Sequence, residues 1–318
     1  MIRTELKFRS GFSMIELLIS LLVATIIVMG VYKFLTGSHR SFTVTKANDN
    51  VNRSMMISNR TMSNFMKMAG FRNYRRVIDD ITFEKARVTF KSGDSVEFPV
   101  NTFIMGEDSG LTTPAVAATP NDVLYIRYYG SSIDDDLSEI AVTPSTTARE
   151  TDNGRMYDCQ GNFRNRMEEV FLRFSVTAAD GLVCEQVIRQ FNEAGGVVGA
   201  EVSDPVSLNP NVISILFGFR IDGNPTFLLS KQVAAAERSK DSVPMSTSNF
   251  ELVNALRYGI LVRQNTHQHV TRTVEAQTFH MLGFDDDGDI AEIAANETDI
   301  HQLVSGILFM RNRYVENN

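Results

Sequence analysis

Four sets of residues in this chain have types and spacings that could do chemistry. The densest is Asp285-Asp286-Asp287-Gly288-Asp289, with Glu292 behind it. Carboxylates gathered around a glycine turn are how proteins hold Ca²⁺, which makes Asp285, Asp287 and Asp289 candidate ligands. Aligned on Gly288, an EF-hand would need a ligand at Gly283 and an acidic residue at Ala294, and has neither. That favours a solvated acidic turn, so no metal and no cofactor is expected, with Ca²⁺ as the alternative. His267 and His269 could share one face of a strand, with His280 further on. They lack a carboxylate or cysteine partner at a fixed spacing, which argues against a metal centre. Cys159 and Cys184 are the two cysteines. In an oxidising compartment they can form one bridge, worth roughly 3–4 kcal/mol by loop entropy; in a reducing one they would be two buried thiols. The fourth set is a single residue, Glu16, set inside an apolar run.

That run extends from Phe12 to Tyr32, 21 residues in which Glu16 is the one charged side chain. As a helix it is about 30 Å long, the thickness of a bilayer core. It reads as one transmembrane helix. A cleaved secretory signal would need a small-residue site after the run, and Lys33-Phe34-Leu35 does not supply one. A buried soluble helix would rarely go so far without a polar face. A carboxylate inside lipid costs a few kcal/mol and points to function. The nearest conceivable cation in the same layer is an amino terminus, freed if the chain were cut just before Phe12.

Gly11-Phe12-Ser13-Met14-Ile15-Glu16, preceded by a short basic leader and followed by the apolar run, resembles the prepilin cleavage motif of type IV pilins and type II secretion pseudopilins. The resemblance implies cutting between Gly11 and Phe12 by a prepilin peptidase, then N-methylation of Phe12. It places Glu16 at the family's assembly glutamate, which attracts the terminal amine of a neighbouring subunit. The leader holds Arg3, Lys7 and Arg9 against Glu5, while Lys33, His39, Arg40 and Lys46 follow the run, so charge counting barely chooses an orientation. The motif implies a single pass of the inner membrane, with leader residues 1–11 in the cytoplasm. The body would lie in the periplasm, and on the pilus or cell surface after assembly.

The elements that would carry these residues follow from patterning. No proline precedes Pro99, so helix can continue beyond the membrane, over about residues 12–70 with the transmembrane part about 12–35. Val51, Met55, Met62, Phe65, Met66 and Ala69 form one apolar stripe at helical spacing. The methionines in it are expected to pack against a sheet. Residues 71–318 read as a β-rich globular domain. Strands are expected over 81–90, 96–105, 123–129, 170–176, 183–191, 212–221, 226–229, 252–264, 273–282 and 303–311, with a helix over 231–239. Lys91-Ser92-Gly93-Asp94 reads as a hairpin turn and Gly195-Gly196-Val197-Val198-Gly199 as a turn between strands. Helical crossovers are almost absent, so the sheets should be antiparallel. The fold class is therefore α+β, and the resemblance implies a type IV pilin-like arrangement: a long N-terminal helix packed on an antiparallel sheet.

The 318-residue length and three local stretches are similar to those of PilW-type minor pilins: Lys67–Arg72, Leu256–Arg263, and Gly283–Ile290, the last in the opposite order relative to the strand. This resemblance implies a minor pilin in a priming or tip complex. Its partners would be other minor pilins, the major pilin, the inner-membrane assembly platform and the lipid bilayer. Two alternatives stand beside it: a type II secretion minor pseudopilin, and a tip adhesin using loops 106–122 and 131–154. A net charge of −7 argues against nonspecific nucleic-acid binding. The chain has no G-x-S-x-G, Walker A, H-E-x-x-H or G-x-G-x-x-G motif, so no enzyme is expected. Gly11→Glu should leave the precursor at full size on an immunoblot; a mature-sized band would contradict the cleavage reading.

Overall fold

A computed structural model describes residues 13–72, 83–107, 121–131, 156–165, 167–192, 196–222, 225–235, 249–264, 277–282, 290–293 and 300–310. One helix, α1 (Met14–Met68), opens the described chain. Contacts divide the protein into two units, Met1–Asp49 and Asn50–Asn318, so the division falls inside α1.

In the first unit the apolar side chains point outward all round the helix. Leu17, Leu18, Leu21, Leu22, Ile26, Ile27 and Val28 are all exposed. Such a surface has no solution in water and is stable only against lipid or other apolar helices. Ser20 and Thr25 do not interrupt it, because their hydroxyls donate to the carbonyls of Glu16 and Leu22 within the helix. α1 is the one helix among the described residues that is long and apolar enough to cross a membrane.

In the second unit the stripe expected from the sequence is the buried face of α1. Val51, Met62, Phe65, Met66 and Ala69 are buried and Met55 is partly so, whereas Met56 is exposed. The methionines pack into a core, as expected. Gly70 ends the helix at φ 72°, a left-handed conformation that suits glycine. A polar clamp fixes the depth of the face: Asn209 Nδ2 donates to the Ser54 carbonyl at 3.0 Å and to the Ser54 and Ser58 hydroxyls at 2.8 and 2.6 Å. Tyr258 Oη bonds Asn59 Oδ1 beside it.

The sheets are antiparallel throughout. β1 (Ala86–Thr89) and β2 (Ser95–Phe98) form a hairpin whose turn carries Gly93 at φ 92°. β3 (Ile104–Glu107), β4 (Val123–Tyr129), β5 (Glu168–Thr177), β6 (Gly181–Phe191) and β7 (Val197–Val202) lie in that order in a six-stranded sheet. The sixth strand, β8 (Val206–Asn209), also pairs with β6. A second sheet has the order β13-β10-β9, from β9 (Val212–Ile221), β10 (Val253–Gln264) and β13 (Ile300–Phe309). β11 (Gln277–His280) pairs with β12 (Ile290–Ile293), and the short helix α2 (Ser230–Ala235) follows β9. One core joins α1 to both sheets: Met62, Phe65 and Met66 meet Ile126, Leu172 and Ile188 of the first and Ile215, Phe217 and Ile260 of the second.

Several expectations need correcting. The stretch 96–105 is two strands, β2 and β3, because Pro99 cannot donate to a ladder and Asn101 turns the chain at φ 58°. Residues 226–229 form no strand; Leu228 makes a single bridge to Phe219. Gly195–Gly199 is not a turn throughout, since Val197 begins β7. β8 and β12 were not expected, being four residues each. Phe65→Ala should cost about 3–5 kcal/mol, as a core truncation does, while Phe163→Ala at the surface should stay within about 0.5 kcal/mol. Urea unfolding of the full chain in detergent, followed by tyrosine fluorescence because there is no Trp, measures both.

Candidate functional site

The candidate site is the start of α1. The Ser13 carbonyl accepts from the Glu16 and Leu17 amides at 3.0 and 3.1 Å, which makes Ser13 the residue on which the helix begins. Glu16 therefore sits in the first turn, where the helix dipole favours a negative charge. That effect is well under the cost of holding a carboxylate in lipid. Among the described residues Glu16 forms no ion pair. The next charge along the helix is Lys33, 17 residues on and about 25 Å away, too far to neutralise it. Among the described residues the first turns of α1 therefore offer Glu16 no cation. Gly11 and Phe12 lie outside the described residues.

The other sequence candidates divide by element. Cys159 and Cys184 are joined, with Cα atoms 6.0 Å apart. Cys184 is on β6 and Cys159 is in the loop 156–165. Asp158 organises that loop: its carboxylate accepts from the Gln160 and Asn162 amides at 2.9 and 2.8 Å, from Arg164 and from Gln186. Such a bridge persists in an oxidising compartment. His280 lies exposed on β11. His267, His269, Asp285, Asp287 and Asp289 lie outside the described residues, as do most of loops 106–122 and 131–154. Among the described residues no three histidine, cysteine or acidic side chains gather as a metal site would need.

Sequence reasoning missed the buried charges of the first sheet. Arg127 and Glu169, fully buried, pair at 2.5 Å, and Arg189 adds a second contact to Glu169 at 3.3 Å. The Arg127 guanidinium lies 4.6 Å from the Phe83 ring centre and 5.2 Å from that of Phe171. Arg173 pairs with Glu185 at 2.8 Å and Asp94 at 2.6 Å. The signal was present: Arg127 interrupts an apolar strand, Val-Leu-Tyr-Ile-Arg-Tyr-Tyr. These groups hold the β1–β2 hairpin on the outer face of the sheet, where Phe98 meets Phe171. They position the body and do not form a reaction centre.

Three comparisons bear on the chain. Residues 6–32 match the family model described as the prokaryotic N-terminal methylation motif. No curated protein sequence matches the chain. Among solved structures, a type IV-like pilin from Thermus thermophilus is similar at 10% identity, covering 83% of this chain and 98% of that one, with a TM-score of 0.37. The long N-terminal helix packed on antiparallel sheets agrees with the expected fold class.

Burial, then the charge and hydrogen bond of Glu107, push the Tyr125 phenol up from 10.0 to about 12, against an opposing effect of Arg173. Burial raises Tyr128 and Tyr258 as well. A phenol raised on folding stabilises fully below its unfolded value of about 10, and that contribution is lost as pH climbs through the folded value. Stability should thus be insensitive to these phenols up to about pH 10 and fall between about 10 and 12. Tyrosinate absorbance should lag free tyrosine over the same window; simple titration near 10 would contradict the burial.

Proposed function

We propose that this chain is a minor pilin: a precursor of which residues 1–11 are removed between Gly11 and Phe12 by a prepilin peptidase, with Phe12 then N-methylated. The matured chain, held by the transmembrane part of a stalk over residues 12–70, carries its body (residues 71–318) in the periplasm before entering a type IV pilus. Its work is structural and involves no catalysis. The observation that carries the reading is one acidic residue, Glu16, in the first turn of an apolar helix, five positions after Gly11 within a matched methylation motif.

The physics of assembly follows from that placement. Moving the helix from lipid into a bundle of other apolar helices exposes little apolar surface to water, so the exchange is nearly neutral in hydrophobic terms. Ser20, Ala24 and Gly30 are small enough to let helices approach closely. The specific term is electrostatic: Glu16 of one subunit pairs with the Phe12 amine of its neighbour. A partner shifted along the axis leaves both charges buried and unpaired, which costs several kcal/mol, so the pair sets axial register.

The partners are the peptidase, the assembly platform, the major pilin and other minor pilins. Incorporation at or near the tip is supported by bulk, since a body of this size would crowd a helical lattice. The PilW-type resemblance of Lys67–Arg72 and Leu256–Arg263 supports the same assignment. Glu16→Ala should insert and be cleaved normally yet enter fibres at least about tenfold less, as loss of one member of a buried pair implies. Immunoblots of membrane and sheared-fibre fractions measure this; wild-type levels in fibres would refute the register mechanism.

A further inference from the structure

Phe65, near the end of α1, touches two aromatic rings. The Phe174 ring of β5 is 5.3 Å away, and the Tyr157 ring of loop 156–165 is 5.4 Å away. The same loop carries Cys159. Its bonded partner, Cys184, stands directly opposite Phe174 in the β5–β6 register. The bridge therefore fastens the loop to the sheet beside the ring on which Phe65 rests. The loop's other ties are of two kinds. Those from Asp158 to Gln160, Asn162 and Arg164 are internal and set its shape. Those that reach the sheet are hydrogen bonds. Gln186 Oε1 accepts from the Cys159 amide at 2.8 Å, Gln186 Nε2 donates to Asp158 at 3.2 Å, and Tyr128 Oη donates to the Tyr157 carbonyl at 2.7 Å. At the loop's far end the Arg164 carbonyl accepts from the Ser131 amide at 3.0 Å. α1 is gripped elsewhere without help from the loop. The Asn209 clamp holds Ser54 and Ser58. Beyond the helix, the Gly70 amide donates to the Arg127 carbonyl and the Phe71 carbonyl accepts from the Tyr129 amide, both at 2.9 Å. Between these fixed points, the turn of Phe65 is where the loop reaches α1.

We propose that loop 156–165 is a strap closed by oxidation. With the bridge formed, Tyr157 is held on Phe65 and the last turns of α1 are pinned to the first sheet. With the bridge reduced, the strap lifts and those turns fray, while the Asn209 clamp keeps the rest of the face docked. Closing forms the Sγ–Sγ bond between Cys159 and Cys184. The two thiols give up two protons and two electrons to the disulfide of a thiol–disulfide carrier, whose own S–S bond breaks to two thiols; a dithiol reductant runs the exchange backwards. Both sulfurs are covered in the closed strap, with Cys159 at 7% and Cys184 at 0% exposure. Thiolate attack needs access to a sulfur, so a closed strap resists reduction and an open one is oxidised readily. The oxidation state of one bond thus sets how firmly the body grips its stalk. The strap acts within one chain and needs neither cleavage of the leader nor a neighbouring subunit.

Hydrogen exchange of the full chain in detergent micelles tests this. The double variant Cys159→Ser/Cys184→Ser should speed exchange of amides 60–68 at least about tenfold and leave those of 50–57, β9 and β10 within about twofold, as a local opening does. Dithiothreitol should do the same to the unaltered chain, and reoxidation with oxidised glutathione should restore its protection. Gln186→Ala keeps both cysteines but removes two of the strap's hydrogen bonds to β6. Dithiothreitol should reduce the bridge of that variant at least about fivefold faster, read by mass after alkylation, because the sulfurs are reached more often. Unchanged protection of 60–68 without the bridge would overturn the proposal. So would an equal loss of protection over 50–57, β9 and β10, which marks general destabilisation rather than a strap. Protection that does not return on reoxidation, or a Gln186→Ala bridge reduced at the unaltered rate, would overturn it too. The same exchange pattern should appear in Gly11→Glu, which separates the strap from the processing reading.

Discussion

One helix has to satisfy two solvents, and the rest of the molecule is arranged around that demand. Over its first part α1 presents apolar side chains in every direction, which only lipid or other apolar helices can cover. From Val51 onward it presents one apolar face, which the body covers. No proline falls within α1, which spans Met14–Met68. The apolar face alone would allow the helix to slide or rotate by small steps at little cost. The Ser54, Ser58 and Asn209 hydrogen bonds remove that freedom, since a shifted helix would leave buried polar groups without partners.

The first sheet is held from both sides. Val170, Leu172 and Phe174 of β5 face α1, while Phe171 between them faces the β1–β2 hairpin. A sheet covered on both faces explains why β4 and β5 read as near-continuous apolar runs rather than as alternating ones. It also explains how charged residues come to be interior. Arg127, Glu169 and Arg173 stand on the hairpin face, and each finds an opposite charge there. Buried pairs of this kind add little net stability, but removing one partner is costly, so they fix which hairpin face meets the sheet.

Much of this was legible in the sequence where one pattern dominated. The apolar run and the Val51–Ala69 stripe mark the helix to within two residues at each end, because nothing competes with a 3.6-residue period over that length. Val123–Tyr129 and Val212–Ile221 coincide with strands β4 and β9 for a similar reason. The errors fall where tertiary pairing decides. Val197–Val202 contains a glycine and an alanine and follows two glycines, yet it is extended because β6 offers it a ladder. Thr226–Leu229 has strand-like composition, but its place beside Phe219 supplies only one bridge. The Cys159–Cys184 bridge could be weighed from compartment logic alone, whereas the Asp158-centred loop that presents Cys159 depends on contacts with Arg164 and Gln186 that no local pattern encodes.

The placement of Glu16 shows why a single charge can carry so much of a functional reading. Its own helix can stabilise it only through the dipole of the first turn, a fraction of a kcal/mol to about 1 kcal/mol. Holding the carboxylate in lipid costs several times that. The difference is met either by protonation of the carboxylate or by a cation close to the same depth. Lys33 is 17 residues further along α1, and Coulomb attraction over about 25 Å is negligible against that deficit. Under the proposed function, a terminal amine in the same turn of a neighbouring helix would meet the requirement in charge and in depth. An internal peptide bond between Gly11 and Phe12 carries no charge, so in that reading cleavage and assembly are one problem rather than two.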